Sequence, residues 1–208
     1  MSYFLPLFPL NLVAFPEERL NLHIFEPRYK QLIKDTMEGN KRFGIPAYVK
    51  ARIEYGTEME IVEIFKTYED GRMDIKTLGH KIFKVEQFDN PWPEKQYAGG
   101  HVEALENIWD VVPAKFEMIK LMNRLYHQIQ LSDEMVYDED TPVFTFAHKV
   151  GLTLEQEYKL IQISKESERV DFVVAHLRSL LPRLTEAEEI RQRIKMNGHF
   201  RHLDSLDF

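Results

Sequence analysis

A chain of 208 residues, 44% hydrophobic and 12% aromatic, has enough apolar surface for one large core or two small adjoining ones, which excludes an intrinsically disordered polypeptide. A formal charge of −7 argues against a surface devoted to neutralising phosphates, because non-specific nucleic-acid affinity rests on clustered Lys and Arg. With no cysteine there is no disulfide, thiolate nucleophile or cysteine-ligated metal.

Residues Tyr3 to Phe15 carry no charge, yet Pro6 and Pro9 interrupt them and no basic residue precedes them, so they read as folded structure rather than a signal segment. No apolar run approaches the ~18–20 residues that span a bilayer as a helix, so the expected location is cytoplasmic and no membrane partner is expected. Leu5 to Leu10 and Leu20 to Phe25 alternate as strands, the first at a sheet edge because of its prolines. Pro27 opens a helix whose apolar stripe is Tyr29, Leu32, Ile33 and Met37 and which ends at Gly39 or Asn40. Met59, Ile61 and Ile64, then Asp70-Gly71, then Met73 and Ile75, predict a hairpin. Ile82 to Val85 predict a separate strand, and His101 to Leu105 a last one beyond the irregular Asn90-Pro91-Trp92-Pro93 segment. Such short strands suit a small barrel or sandwich.

After Pro113 the texture becomes helical. Met118, Met122, Leu125 and Ile129 share one face, Thr141-Pro142 reads as a helix start, and Thr153 with Gln156 as a capping box. Val170, Val173, Val174, Leu177 and Leu181 form the strongest stripe, with Pro182 predicted to stop it and Thr185 to cap another helix. The fold class is therefore α+β, with a β-rich domain over 1–110 and a helical domain over 111–208.

Chemistry-bearing motifs are missing. There is no phosphate-cradling glycine loop, no His-Glu-x-x-His pair and no Gly-x-Ser-x-Gly elbow, so no enzyme activity and no cofactor are expected. Asp133, Glu134, Asp138, Glu139 and Asp140 match no compact coordination loop and read as a solvated connector; His199 and His202 read as polar tail, and no metal site is assigned. His23, inside an apolar strand, is expected to be satisfied by backbone partners. Aromatic side chains offer large contact area with few rotamers to freeze, so Phe15, Trp92, Tyr97 and Trp109, with Phe88 beside them, are the candidates to line a binding groove.

Leu5-Pro6-Leu7-Phe8-Pro9-Leu10, Ala14-Phe15-Pro16 and, most specifically, Leu22-His23-Ile24-Phe25-Glu26-Pro27-Arg28-Tyr29 resemble the opening of the Lon substrate-binding domain family. The likeness continues through Gly44-Ile45-Pro46, Tyr55-Gly56-Thr57, Ile61, Asp70-Gly71-Arg72, Gly79, Leu152-Thr153-Leu154 and Glu168-Arg169-Val170. Two positions depart from that pattern: Glu17 where the family often has glycine, and Ile82 ahead of Phe83 where arginine is common. The resemblance implies a PUA-like β-pseudobarrel of about six strands followed by a helical bundle. It further implies a non-catalytic module that binds unfolded or client polypeptides, with a separate ATPase or protease as a possible partner. The alternative is an RNA-binding PUA-like protein, which would need a contiguous cationic surface from Lys30, Lys34, Lys41, Arg42, Lys50 and Arg52. Nucleic acid is not the expected partner.

Overall fold

The computed structural model describes residues 1–131 and 140–199, the last three by backbone alone. Most of the acidic connector and the tail with His202 lie outside the described residues, as does the side chain of His199.

Six strands form one sheet: β1 (Ser2–Leu7), β2 (Arg19–Ile24), β3 (Arg42–Pro46), β4 (Tyr55–Thr67), β5 (Met73–Asp89) and β6 (Ala98–Ala104). Their order is β2-β5-β4-β3-β1-β6, and a second pairing between β5 and β6 closes the last five strands into a barrel. Length makes this closure possible. β5 pairs with β2 from Met73 to Leu78, with β4 from Met73 to Lys84 and with β6 from Phe83 to Asp89, so one strand of 17 residues replaces the two expected around Met73 and Ile82. Register shifts between Glu58 and Met59 and between Val85 and Gln87 supply the bends.

β1 is interior rather than an edge, because it pairs with β6 along its whole length and with β3 at Leu7 opposite Gly44. Pro6 is tolerated because β1 makes so little ladder with β3. β3 escaped sequence reading because Phe43 to Pro46 are buried consecutively, which erases the two-residue alternation. At Gly79 the chain turning out of the first loop approaches so closely that an added Cβ would lie 2.1 Å from the Phe15 carbonyl oxygen.

α1 (Pro27–Glu38) lays Tyr29, Leu32 and Ile33 on a core of Phe8, Ile24, Phe43, Ile45, Met59, Ile61 and Ile75. Phe8 stacks on Tyr29 with ring centroids 3.8 Å apart. Burying side chains such as Leu32 and Ile33 is worth ~1.5–3 kcal/mol each. A second cluster, Leu5, Leu7, Phe83, Ala98 and Val102, is drawn from β1, β5 and β6.

The chain divides into two compact units, residues 1–111 with 141–169 and residues 112–140 with 170–208. The first boundary falls where the composition changes, but 141–169 joins the β-rich unit. In that stretch Thr141-Pro142 precedes a 3-10 helix, Val143–Lys149, with no side-chain cap, whereas α3 (Leu154–Leu160) begins with the expected Thr153–Gln156 capping box. The second unit contains α2 (Lys115–Gln128), with Met118, Met122, Leu125 and Tyr126 buried, and all but the first turn of α4 (Glu166–His199). Val170, Val173, Val174, Leu177 and Leu181 are buried as expected. Pro182 does not stop α4, nor does Thr185 begin a new helix; the solvent-facing Pro182 removes one helical N–H, and the helix continues to His199.

Candidate functional site

β2 has a neighbour on one side only among the described strands. Its register with β5 runs without a shift from Arg19 opposite Leu78 to Ile24 opposite Met73. The Gly79 amide donates to Glu18 O, and antiparallel pairs alternate between bonded and non-bonded, so the backbone groups of Arg19, Asn21 and His23 point away from β5. The side chains alternate in the same way. Leu20, Leu22 and Ile24 face the core, while Arg19, Asn21, His23 and Phe25 face water, Phe25 being 58% exposed.

His23 is fixed by a carboxylate rather than by backbone. Its Nδ1 lies 2.5 Å from Asp74 Oδ1, and the Tyr68 hydroxyl donates to Asp74 Oδ2 at 2.8 Å. His23 and Tyr68 hold the Asp74 carboxyl below its usual range. Phe25 stacks against His23 at 6.0 Å, so a polar triad braces an exposed aromatic at the end of the open edge. Neither the edge nor Phe25 was singled out from sequence, although an aromatic on the polar side of the β2 alternation was the available signal.

At the other end of β2, a cleft of about 400 Å³ is lined by Pro16, Glu17, Glu18, Arg19, Phe144 and His148 among others. His148 Nδ1 is 2.7 Å from Glu157 Oε1 and Nε2 is 3.4 Å from Glu18 Oε2. Glu157 and then Glu18 push its pKa up to about 10, against the opposing effect of burial. Glu18 Oε2 also accepts the Phe15 amide at 2.8 Å, so this loop is tied down at both carboxylate and backbone.

The four groove candidates separate. Phe15 is fully buried and stacked on Phe144 at 5.3 Å, and Tyr97 is 2% exposed with its hydroxyl donating to Asp35 at 2.8 Å. Both are core, because a large apolar ring gains more from a closed environment than from water. Burial, then Asp35, raises the Tyr97 hydroxyl pKa. Trp92 is half-buried beside Phe4 and His101, with centroids 4.8 and 5.9 Å away, and rests on Gly99, where a Cβ would come within 2.9 Å of its ring. Trp109 is 58% exposed and apart from these rings in the chain's pairings. Phe88 packs against the β1–β5–β6 cluster.

Most of the cations proposed for a nucleic-acid surface sit beside acceptors. Arg42 lies 3.0 Å from Glu60, Lys50 is 2.7 Å from Glu155, Arg52 is 3.8 Å from Glu54, and Lys30 donates to the Asp70 carbonyl at 2.9 Å. Among the described residues, no three His, Asp or Glu side chains converge in a metal-binding arrangement, and no helix is long and apolar enough to cross a membrane.

Three comparisons place this geometry among known proteins. The Xanthomonas campestris Lon N-terminal domain protein is similar in fold, with a TM-score of 0.67 at 23% identity over 83% of this chain and 98% of that one. The N-terminal domain of the Mycobacterium avium complex Lon protease gives a TM-score of 0.64 at 11% identity, over 86% of this chain and 100% of that one. A LON peptidase N-terminal domain and RING finger protein of Schizosaccharomyces pombe is 32% identical over 104 aligned positions, which cover 40% of this chain and 21% of that protein. The sequence profile of the ATP-dependent protease La (LON) substrate-binding domain matches residues 4–196. With residues 4–196 matched, nearly the whole chain, the chain belongs to the LON substrate-binding domain family.

Proposed function

We propose that the protein is a non-catalytic polypeptide-binding module that takes up extended segments of client chains along the open edge of β2. The carrying observation is the outward-pointing backbone of Arg19, Asn21 and His23 on an unshifted strand. Natural proteins blunt such edges with bulges or prolines, and this one has neither between Arg19 and Ile24. Main-chain hydrogen bonds recognise any extended polypeptide, and Phe25 at the end of the row supplies apolar contact. That combination suits clients defined by being unfolded rather than by one sequence. Membership of a substrate-binding domain family supports the same reading, as does the lack of any nucleophile or metal motif in the sequence.

The test is Asn21→Pro, which deletes one outward N–H without removing a bond to β5. Binding of a permanently unfolded polypeptide, such as reduced carboxymethylated lactalbumin, should fall at least ~10-fold, about 1.4 kcal/mol. The variant should keep the wild-type melting temperature. Unchanged binding by Asn21→Pro, or no binding by the parent protein, would overturn the reading.

A further inference from the structure

A strand laid beyond β2 would meet two different surfaces, one on each side of the sheet. On the core side Leu20 and Leu22 are only half-buried although they pack against the barrel core, whereas Ile24 in the same row is 1% exposed. Ile64 on β4 and Met73 on β5 are left partly open in the same way. The apolar cluster is unfinished along this margin, and side chains of an added strand would cover it. On the water side charge is unequally distributed. Arg19, at the start of the strand, is exposed, lines the cleft with Thr145 and His148, and has no acceptor among the described residues. Glu18 beside it is already held by His148 and by the Phe15 amide. The far end carries a carboxylate instead, since Asp74 is bonded to His23 and Tyr68, which favour its ionised form.

Antiparallel pairing is the more stable per residue, and it would set a client residue directly opposite each of Arg19, Asn21 and His23, with both main-chain bonds exchanged at each pair. Directly opposite side chains share a face. Client residues opposite Ile24, Leu22 and Leu20 then turn to the core side, and the one opposite Arg19 turns to water at the C-terminal end of the segment, six positions after the one beside Phe25. We infer that the client segment is recognised as a directional pattern of seven residues: apolar at the second, fourth and sixth positions, aromatic at the first against Phe25, and acidic at the seventh against Arg19. This rests on the edge proposed above for clients and adds which segments it takes and which way they run. Held antiparallel, the reversed sequence would bring its acid towards Asp74 and its aromatic ring to Arg19, setting carboxylate near carboxylate. A slip of one residue would turn every apolar side chain to water.

The probe is the fluorescein-labelled peptide Gly-Ser-Gly-Trp-Val-Ser-Val-Thr-Val-Glu-Gly-Ser, amidated at its end, titrated onto the full chain and followed by anisotropy. It should bind with a Kd of ~0.1 mM or tighter. Reversing the seven central residues, or grouping the three valines together, should each weaken binding at least ~10-fold. Lysine in place of the peptide's glutamate should weaken it at least ~5-fold, and Arg19→Glu should invert that preference with the melting temperature unchanged. Glu17 lines the same cleft and opposes an incoming acid, so Glu17→Gln should tighten binding ~2-fold. Equal binding of the forward, reversed and grouped peptides, or a glutamate preference that survives Arg19→Glu, would overturn the pattern; the edge itself would stand if unfolded lactalbumin were still bound and Asn21→Pro still released it. Binding of neither probe would remove edge and pattern together. A parent dimer that Asn21→Pro dissociates, with no peptide bound, would also overturn the inference, because a second copy would then occupy β2.

Discussion

Each of the two units is stabilised internally by a different kind of contact. In the second, the buried side chains of α2 and α4 are nearly all apolar, from Met118 and Met122 to Val173, Val174 and Leu177, and the ion pairs of Arg178 with Glu117 and Arg191 with Glu188 lie on the surface. In the first, polar and charged groups sit inside as well. Arg169 is 1% exposed, with its guanidinium donating to the Ile163 and Ser164 carbonyls, beside Glu166 and 4.2 Å over the Phe144 ring. The difference follows from backbone accounting. Helices satisfy their own amides, whereas the loops that return 141–169 to the barrel end in carbonyls and amides that need side-chain partners. Glu166 Oε1, for instance, accepts the Val143 amide at 2.8 Å. One unit should therefore fail by loss of apolar contact and the other by loss of single polar groups.

The largest expected effect is in the helical unit. Val174→Asp places an unpaired carboxylate at a position 4% exposed and should destabilise by about 4 kcal/mol in denaturant titration. Arg178→Ala, in the same helix, should cost under ~1 kcal/mol because its pair is solvated. An unchanged denaturation curve for Val174→Asp would show the stripe to be surface and end the contrast. In the β-rich unit the matching change is Arg169→Met. It fills similar volume but removes the guanidinium beside the 3% exposed Glu166, the donor to the Ile163 carbonyl and one of the two donors to the Ser164 carbonyl, so a loss of about 3 kcal/mol is expected. If methionine is tolerated within ~1 kcal/mol, the polar bracing is incidental.

A smaller effect separates the units by pH. His148 has a folded pKa of about 10 against an ordinary 6.5, so its bonds to Glu157 and Glu18 contribute fully below about 6.5 and are lost as pH rises through about 10. Its ring is 41% exposed, so solvent screening limits the contribution to about 1 kcal/mol. His148→Gln should lower stability at pH 6 and converge with the parent above pH ~10.5, the reverse of a histidine stabilised when neutral. A constant difference across that range would mean that packing on Phe15, not charge, is what His148 supplies.

Sequence patterns revealed these elements unevenly. The Asp70-Gly71 turn, α1 with its Pro27 start and the Thr153 cap were readable because each is local: a turn residue, a fixed φ, a side chain reaching its own backbone. What failed depends on distant partners. β3 is buried on both faces, β5 is one strand only because β2, β4 and β6 share it, and the fate of Phe15 and Tyr97 was decided by Phe144 and Asp35. The candidate edge is legible only after topology, since no residue in Leu20 to Ile24 says whether a strand lies on its far side.

Glu17 offers the finest test of how the β-rich unit uses special positions. It is exposed, its φ is +64°, and its amide donates to Gly79 O at 2.9 Å, so the backbone holds a left-handed turn leading into β2 with a residue that prefers not to make it. That conformation costs a side-chain-bearing residue ~1–2 kcal/mol, while glycine loses ~0.5–1 kcal/mol through its freer unfolded state. Glu17→Gly should therefore stabilise by about 0.5–1 kcal/mol, restoring the residue that the family pattern favours there. Glu17→Val, with a branched Cβ, should destabilise by about 1 kcal/mol. Because neither change touches the core, opposite signs in matched denaturation curves would locate the effect in the turn itself. Equal signs would place it in the charge that both substitutions remove.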